Sequence, residues 1–352
     1  MTYLFSFVFS FCFALVAIPF IRRWAIKRNI FDSVDARKLH TGNIPRLGGS
    51  GIYFGFLIGF LGAVLFTRIL YPSAGIFISF WAIFAAGFGF FLLGLVDDLK
   101  RLSAKLKFIV QCALAICVVL AGYRFSVLEI PVSPFRIDLG LWSYPLTVLW
   151  IVGIANAVNL LDGMDGLAGG ISLIGVAVWA ILFFKSGQSL PAQAACAAAG
   201  AILGFLFFNF PPASIFMGDS GSLFLGYLLA VLPLLGYSQN QMESGLVPAI
   251  TVCLIPILDT FAAILRRWRR GVSFLTPDKY HVHHKLLNLG FSTRQILAII
   301  YTLCIVLGAC VLAGIYVSPF LSFVLMMAGW AVCGSIFVVL HFLKKNNIRL
   351  FE

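Results

Sequence analysis

Residues 141–184 consist of two apolar runs, LWSYPLTVLWIVGIANAVNLL and GLAGGISLIGVAVWAILFF, separated by the short polar segment DGMD. Each run has about the 20 residues that a helix needs to cross the hydrocarbon core of a bilayer. A helix also satisfies its own backbone hydrogen bonds, which is required where no water is present. The stretch therefore predicts two membrane-spanning helices that enclose a turn containing two carboxylates.

The same pattern recurs along the whole chain. Of its 352 residues, 61% are hydrophobic and only 11% are charged, and the mean hydropathy is +1.02, which excludes a water-soluble globule. We predict an all-α polytopic membrane protein with about eleven transmembrane helices. Their expected positions are near residues 3–21, 47–66, 76–96, 106–122, 141–161, 166–184, 191–208, 221–236, 245–265, 295–316 and 320–343.

The distribution of Lys and Arg predicts the orientation. If the N-terminus is outside and the C-terminus is cytoplasmic, then of 25 Lys and Arg residues only Arg68, Arg124, Arg136 and Lys185 lie outside. This bias follows the positive-inside rule and accounts for the net charge of +12 without nucleic acid as a partner. Inner-membrane lipids with anionic headgroups are the expected neighbours of the basic run at 266–270.

Nothing in the sequence divides the chain, so we expect a single integral membrane domain over residues 1–352. Alternating apolar and polar residues near 125–139 predict a small outer β-hairpin. The first apolar run is expected to remain uncleaved, because Arg22 and Arg23 follow it and no basic segment precedes it. The eight cysteines are scattered without a CxxC pair, which is typical of apolar packing residues.

Six carboxylates lie at or inside the ends of the apolar runs. An ionisable group at membrane depth is unfavourable by roughly 2.5 to 3.5 kcal/mol, so it is usually retained for a task. In the predicted topology five of them lie at cytoplasmic helix ends. The sixth, Asp259, lies roughly 10 Å deeper than Arg266, at 1.5 Å per residue. The six are Asp97, Asp98, Asp162, Asp165, Asp219 and Asp259. A site on the cytoplasmic face is the expected result.

The most specific string is NAVNLLDGMDGLAGG at 156–170. It contains Asn156, Asn159, Asp162 and Asp165 together with four glycines that permit close backbone approach. Such oxygen ligands suit Mg²⁺, which takes one or two protein groups plus phosphate oxygens and water. An ordinary helix cap explains one Asn and one Asp, but it does not explain all four polar residues.

Two further strings carry carboxylates at helix ends. GLVDDLKRLSAKLK places Asp97 and Asp98 before a turn and Lys107 after it, which suits a cation or a phosphorylated group, although a solvated loop has a similar composition. FMGDSGS places Asp219 at a helix start, either as an N-cap or as a metal ligand.

The string HVHH contains His281, His283 and His284 beside two lysines. Clustered histidines often bind a transition metal, but no Cys or carboxylate lies next to these. An anion-binding loop that contacts a pyrophosphate or a sugar is the favoured interpretation.

Taken in order, Asp97-Asp98, NAVNLLDGMDGLAGG, FMGDSGS, Asp259 and HVHH resemble the polyprenyl-phosphate N-acetylhexosamine-1-phosphate transferases. The likeness extends over essentially the whole chain, including RKLHTGNIPRLGGSG at 37–51. The HVHH string is similar to that of the WecA and TagO branch, which starts lipopolysaccharide O-antigen and teichoic acid synthesis. The related peptidoglycan branch has an uninterrupted histidine triplet.

The resemblance implies transfer of N-acetylglucosamine 1-phosphate from UDP-N-acetylglucosamine to undecaprenyl phosphate, with release of UMP. It implies Mg²⁺ as cofactor, with Mn²⁺ as an alternative, and a place in the bacterial cytoplasmic membrane. Another UDP-N-acetylhexosamine or the muramoyl-pentapeptide nucleotide remains an alternative donor, and a homodimer is left open. The implied roles are metal binding for Asn159 and Asp219, catalysis for Asp97, Asp98, Asp162 and Asp165, and substrate binding for Lys107, Asn156, Asp259, His281, His283, His284 and Arg46.

A secondary transporter is the alternative from a different class, since transporters also have intramembrane carboxylates and broken helices. Transporters place such groups near the midplane and often show internal repeats. Here the carboxylates gather at one face and no repeat is evident, which favours an enzyme.

Overall fold

The computed structural model describes residues 2–31, 44–70, 80–129, 136–238, 245–273 and 280–347. Several sequence features fall wholly or partly outside these ranges. They are the RKLHTGN segment at 37–43, residues 76–79 of the third predicted span, the centre of the predicted hairpin, and Lys279, one of the two lysines beside the HVHH string.

The fold is almost entirely helical, as predicted. The helices are α1 (Thr2–Lys27), α2 (Gly48–Leu70), α3 (Phe80–Lys100), α4 (Ala104–Leu120), α5 (Ser143–Leu161), α6 (Leu167–Lys185), α7 (Ser189–Asn209), α8 (Gly218–Ser238), α9 (Leu246–Val252), α10 (Leu254–Arg269), α11 (Val282–Asn288), α12 (Thr293–Ala313) and α13 (Pro319–Asn347). Two short strands, β1 (Val127–Glu129) and β2 (Arg136–Asp138), pair antiparallel and confirm the hairpin.

Nine helices in the described part of the chain are long and apolar enough to cross a membrane, and the bent pair α9–α10 makes a tenth candidate. The prediction of about eleven spans also included α4. That helix has only 17 residues, about 26 Å at 1.5 Å per residue, which is shorter than the usual span. The chain is a multi-pass membrane protein.

The axes of α9 and α10 differ by 76° at a break next to Cys253. Pro256 lies in the first turn of α10 and has no amide hydrogen to donate to Val252, the last residue of α9. Its ring also crowds the carbonyl group four residues earlier. The predicted single span at 245–265 is therefore broken, and α10 leaves the direction of α9.

Helix α8 is the most buried of the candidate spans and packs against α2, α3, α5 and α6. One apolar cluster fills the space among α1 to α9, and a second joins the α5–α6 loop to α10, α11, α12 and α13. The α5–α6 loop contributes Met164 to the second cluster, flanked by Leu161 at the end of α5 and Leu167 at the start of α6. This loop contains the DGMD segment and thus lies where the two halves of the core meet.

Candidate active site

Three charged side chains from three helices form a chain of ion pairs. Lys107 Nζ on α4 lies 2.8 Å from Asp97 Oδ2 on α3 and 2.9 Å from Asp219 Oδ2 on α8. Asp97 Oδ1 also accepts a hydrogen bond from the Leu102 amide at 2.6 Å, which fixes the α3–α4 turn. Lys107 therefore brings together two carboxylates that are 122 residues apart in the sequence.

Asp98, the neighbour of Asp97, has a different environment. Its carboxylate accepts hydrogen bonds from the backbone amides of Asp219 at 2.9 Å and Ser220 at 3.0 Å, and its side chain has no solvent exposure. It therefore caps the N-terminus of α8, where the helix dipole favours a negative charge. Arg46 lies near it, with Nε 3.8 Å from Oδ1 and Nη2 donating to the Asp98 carbonyl oxygen at 2.7 Å.

Gly218 is required for this close approach. Its φ of +74° lies in the left-handed region, and a Cβ atom at this position would lie 2.6 Å from Asp98 Oδ2. A side chain larger than hydrogen would push Asp98 away from the helix end. The close packing of Asp98 thus explains why a glycine precedes Asp219, which the FMGDSGS string alone does not show.

The two asparagines of α5 donate hydrogen bonds to α8 and α4, the helices that carry Asp219 and Lys107. Asn159 Nδ2 donates to Ser222 Oγ at 2.8 Å, and Ser222 Oγ in turn donates to the Gly218 carbonyl oxygen at 3.0 Å. Asn156 Nδ2 donates to Gln111 Oε1 at 2.6 Å, one turn of α4 beyond Lys107. Asn159 is therefore tied to the same turn of α8 that carries Asp219, since residues three apart share a helix face.

The α5–α6 loop is locked to the loop before α8. Asp165 Oδ2 accepts a hydrogen bond from the Ala213 amide at 2.9 Å, and Asn209 Oδ1 accepts one from the Gly166 amide at 2.9 Å. Asn209 Nδ2 also donates to the Ile215 carbonyl oxygen at 3.0 Å. Asp162 ends α5 and is partly exposed.

The histidine segment lies on the other side of this loop. Asp259 on α10 is buried and accepts hydrogen bonds from the Val282 amide at 2.8 Å and from His281 Nδ1 at 2.6 Å. The His283 ring packs against Gly163, where a Cβ atom would lie 2.9 Å from Nε2. His284 lies next to His283, with ring centroids 4.2 Å apart. The α5–α6 loop thus contacts both the loop before α8 and the histidine segment.

His283 is buried and neutral. Burial lowers the pKa of its imidazole to about 3, because the charged form loses its hydration, and the neighbouring His284 adds to the effect. Neither ring nitrogen has a hydrogen-bond partner among the described residues. A neutral imidazole offers a substrate one donor and one acceptor.

Arg267 is a residue that the sequence interpretation missed. It is 9% exposed, and its Nε makes no hydrogen bond in the described part of the chain. Asp259, Ala263 and Arg267 are buried at four-residue intervals, so they share one face of α10. The eight-residue separation from Asp259 could have indicated that Arg267 shares its helix face, but all the arginines of RRWRR at 266–270 were expected to lie beside anionic lipid headgroups.

The metal prediction is compatible with the donor atoms present. Within the described residues no group of three or more His, Cys, Asp and Glu side chains could hold a metal ion. Mg²⁺ does not need three, because phosphate oxygens and water complete its octahedron. The side-chain nitrogen of Asn159 already donates a hydrogen bond to Ser222. Its side-chain oxygen is therefore the atom that could coordinate a metal ion together with Asp219.

Comparison with known proteins supplies the wider context. A model of glycosyl transferase family 4 matches residues 80–237, which include α3 to α8. A probable undecaprenyl-phosphate N-acetylglucosaminyl 1-phosphate transferase from Bacillus subtilis (strain 168) is 39% identical over 326 residues, covering 92% of this chain and 88% of the relative.

Two other relatives are similar over most of their length. An undecaprenyl-phosphate alpha-N-acetylglucosaminyl 1-phosphate transferase from Yersinia pestis is 31% identical, covering 84% of this chain and 79% of the relative. A decaprenyl-phosphate N-acetylglucosaminephosphotransferase from Mycobacterium tuberculosis (strain ATCC 25618 / H37Rv) is 35% identical, covering 85% and 79%.

Proposed function

The chain belongs to glycosyl transferase family 4, and we propose that it transfers N-acetylglucosamine 1-phosphate from UDP-N-acetylglucosamine to undecaprenyl phosphate, releasing UMP. The observation that carries this proposal is the Asp97–Lys107–Asp219 chain, in which carboxylates and a cation from three helices converge beside Asn159. Membership of a transferase family favours an enzyme over a secondary transporter. The names of the relatives favour N-acetylglucosamine over the muramoyl-pentapeptide nucleotide.

The reaction is a displacement at the β-phosphorus of the nucleotide sugar. An oxygen of the lipid phosphate forms the new bond, and the bond from the β-phosphorus to the bridging oxygen breaks, so that UMP leaves with the electron pair. A phosphate monoester has a second pKa near 6 and is largely dianionic at pH 7. It therefore needs positioning and relief of charge repulsion more than it needs a general base.

The cations of the site are suited to that task. Lys107 binds the lipid phosphate and is held in place by Asp97 and Asp219, whereas buried Arg267 binds the diphosphate of the donor. His281, oriented by Asp259, and neutral His283 contact the nucleotide sugar across the α5–α6 loop. Arg46 and Asp98 hold the α8 N-terminus and so position Asp219.

A divalent metal ion is proposed as cofactor, with Mg²⁺ as the ion and Asn159 and Asp219 as its ligands. When bound, it supplies charge neutralisation for the phosphate oxygens. Asp219→Ala and Asn159→Ala are expected to weaken Mg²⁺ binding measured by calorimetry at unchanged folding. Wild-type Mg²⁺ affinity in either variant removes that residue from the proposed ligand set.

A single displacement fits the surroundings of the two candidate nucleophiles. Both oxygens of Asp97 accept hydrogen bonds, and Asp98 is fully buried beneath α8. Isotope exchange tests this point: enzyme, Mg²⁺, UDP-N-acetylglucosamine and labelled UMP are incubated after all lipid phosphate has been removed. A single displacement gives no label in the nucleotide sugar, whereas exchange at the turnover rate indicates a covalent sugar-phosphate enzyme.

We place the site on the cytoplasmic face of a bacterial cytoplasmic membrane. Arg22, at the basic end of α1, donates from Nε to the Ser214 carbonyl oxygen at 3.0 Å, five residues before Asp219. The basic end of α1 and the loop before Asp219 therefore lie close together, which supports this proposal because basic helix ends usually face the cytoplasm. A site on the cytoplasmic face of the membrane can bind a UDP-sugar from the cytoplasm and a lipid phosphate from the bilayer.

The decisive experiment measures UMP release by purified protein in nanodiscs that contain undecaprenyl phosphate and Mg²⁺. A panel of UDP-N-acetylglucosamine, UDP-N-acetylgalactosamine and the muramoyl-pentapeptide nucleotide identifies the donor. We expect release with the first, and none in the Asp219→Ala variant. Release with only the third would replace the proposed donor, and release with none of the three would refute the proposed reaction.

A further inference from the structure

Both backbone polar groups of Gly166 are held by side chains from other helices. Its amide donates to Asn209 Oδ1 on α7, and its carbonyl oxygen accepts a hydrogen bond from the Tyr301 hydroxyl on α12 at 2.6 Å. Gly166 has a φ of +76° and is the N-cap residue of α6. It therefore fixes the point at which the α5–α6 loop turns into the next helix.

The surroundings of Tyr301 are shaped to admit its ring. A Cβ atom on Gly170 would overlap the Tyr301 hydroxyl group, so the absence of a side chain there provides the space. Leu297, one turn earlier on α12, packs on Gly166, where a Cβ atom would lie 3.3 Å from Cδ1. Two successive turns of α12 thus contact the beginning of α6.

Helix α12 directly follows the short helix that carries the histidine segment. Helix α11, which contains His283, ends at Asn288, and α12 begins at Thr293 after a short connection that is capped by Ser292. Gly163, three residues before Gly166, packs against the His283 ring. Tyr301 therefore links the α5–α6 loop to α12, the helix that directly follows α11. Helix α11 carries His283 on the opposite side of the proposed donor site.

We propose that Tyr301 is a positioning residue for the nucleotide-sugar donor, acting through Gly166 on the spacing between the α5–α6 loop and His283. This inference rests on the proposed function. Tyr301 does not touch the Asp97–Lys107–Asp219 chain, so it influences donor binding and leaves acceptor binding unchanged.

The test is Tyr301→Phe, which removes one hydroxyl group and keeps the ring. One hydrogen bond supplies about a two- to tenfold change in an equilibrium constant. The dissociation constant of UDP-N-acetylglucosamine, measured by calorimetry without lipid phosphate, and its KM are both expected to rise by about that factor. The KM for undecaprenyl phosphate is expected to remain within about twofold of wild type.

Tyr227→Phe is the matched control. The Tyr227 hydroxyl donates to the Ile83 carbonyl oxygen at 2.7 Å, so the same substitution removes the same kind of bond between two other helices. It is expected to lower the unfolding temperature without changing donor affinity. Gly170→Ala is a second variant, in which the added methyl group displaces the Tyr301 ring and weakens donor binding.

Several outcomes overturn the inference. Unchanged donor affinity in Tyr301→Phe does so, as does an equal change for donor and acceptor, or an equal effect in Tyr227→Phe. Binding of UDP-N-acetylglucosamine without UMP release by the wild type refutes the proposed function but still allows the Tyr301 comparison. No binding of this donor by the wild type refutes the inference.

Discussion

Replacing Asp98 by alanine should destabilise the protein more than the same replacement at either carboxylate of the Asp97–Lys107–Asp219 chain. The carboxylate accepts hydrogen bonds from the amides of Asp219 and Ser220, and its side chain is fully buried. Bonds to a charged acceptor contribute roughly 1.5 to 3 kcal/mol each. Two such bonds give roughly 3 to 6 kcal/mol, and local relaxation brings the expected loss to about 3 kcal/mol.

Asparagine at the same position retains one acceptor oxygen. Asp98→Asn should therefore lose one of the two bonds, roughly 2 kcal/mol. Asp97→Asn is the matched control, because its remaining oxygen can still accept from the Leu102 amide and only the partly exposed ion pair with Lys107 is lost. That loss is expected to be about 1 kcal/mol or less.

The assay is thermal unfolding in detergent, followed by tryptophan fluorescence at one scan rate for all variants, since membrane proteins often unfold irreversibly. At about 2 °C per kcal/mol, Asp98→Ala should unfold about 6 °C below wild type, and Asp97→Asn within about 2 °C of it. All three variants should have low transferase activity. If Asp98→Ala unfolds at the wild-type temperature, or if Asp97→Asn is destabilised equally, the capping role assigned to Asp98 is refuted.

Three further predictions follow from buried or segregated charges. Arg267→Gln should reduce UDP-N-acetylglucosamine affinity at least tenfold in calorimetry without lowering the unfolding temperature, because the buried Nε of Arg267 has no hydrogen-bond partner among the described residues, whereas Arg269→Gln, at an exposed position, should change neither. An Arg267→Gln variant with a lowered unfolding temperature would show that the guanidinium makes stabilising contacts. Burial lowers the pKa of His283 to about 3, so between pH 6.5 and 3 the imidazole binds a proton only in the unfolded chain. The unfolding temperature should therefore fall as the pH drops below about 6.5, and it should fall less steeply with pH in His283→Asn. An equal pH dependence in the two proteins would contradict the burial argument. In a cysteine-free background, Lys185→Cys should react with an impermeant maleimide in intact cells and Lys105→Cys only after lysis, and the reverse pattern would invert the topology.

The helical framework could be predicted from the sequence because a bilayer permits few alternatives. The predicted span at 166–184 coincides with α6 to within one residue at each end, and the span at 191–208 lies inside α7. The break between α9 and α10 was harder to predict from the sequence. Pro256 signals a local disturbance, but a proline can kink a helix or end it, and the 76° change in direction depends on packing.

The candidate site was predictable in composition but not in pairing. The glycine-rich and aspartate-rich strings predicted that Asp97, Asp98, Asn159 and Asp219 lie at helix ends on one face. Hydrogen bonds link these residues or their helix turns in the structure, and their roles in a site stay predictions. Spacing does not show that Asp98 caps α8 while Asp97 binds Lys107, although the two are adjacent. Neighbours in a helix point about 100° apart and meet different partners.

Long-range contacts explain the residues that sequence reasoning missed. Asn209 and Tyr301 have no charge and lie in or beside apolar runs, so nothing local distinguishes them from packing residues. Their significance comes from Gly166, whose amide and carbonyl groups they hold from two different helices. The Gly166 amide needs such a partner, whereas its carbonyl oxygen also accepts the helical hydrogen bond from the Gly170 amide at 2.8 Å, and the sequence identifies neither side chain.

The proposed reaction also explains why Lys107 is paired with the carboxylates of Asp97 and Asp219. At pH 7 the lipid phosphate and the nucleotide diphosphate each carry about two negative charges, and so do UMP and the product diphosphate. No net proton is released, one phosphoanhydride replaces another, and the total charge in the site stays nearly constant. The step is therefore expected to be close to thermoneutral and reversible by UMP. Lys107 serves both directions of such a reaction, because Asp97 and Asp219 hold it in one place whichever phosphate is bound.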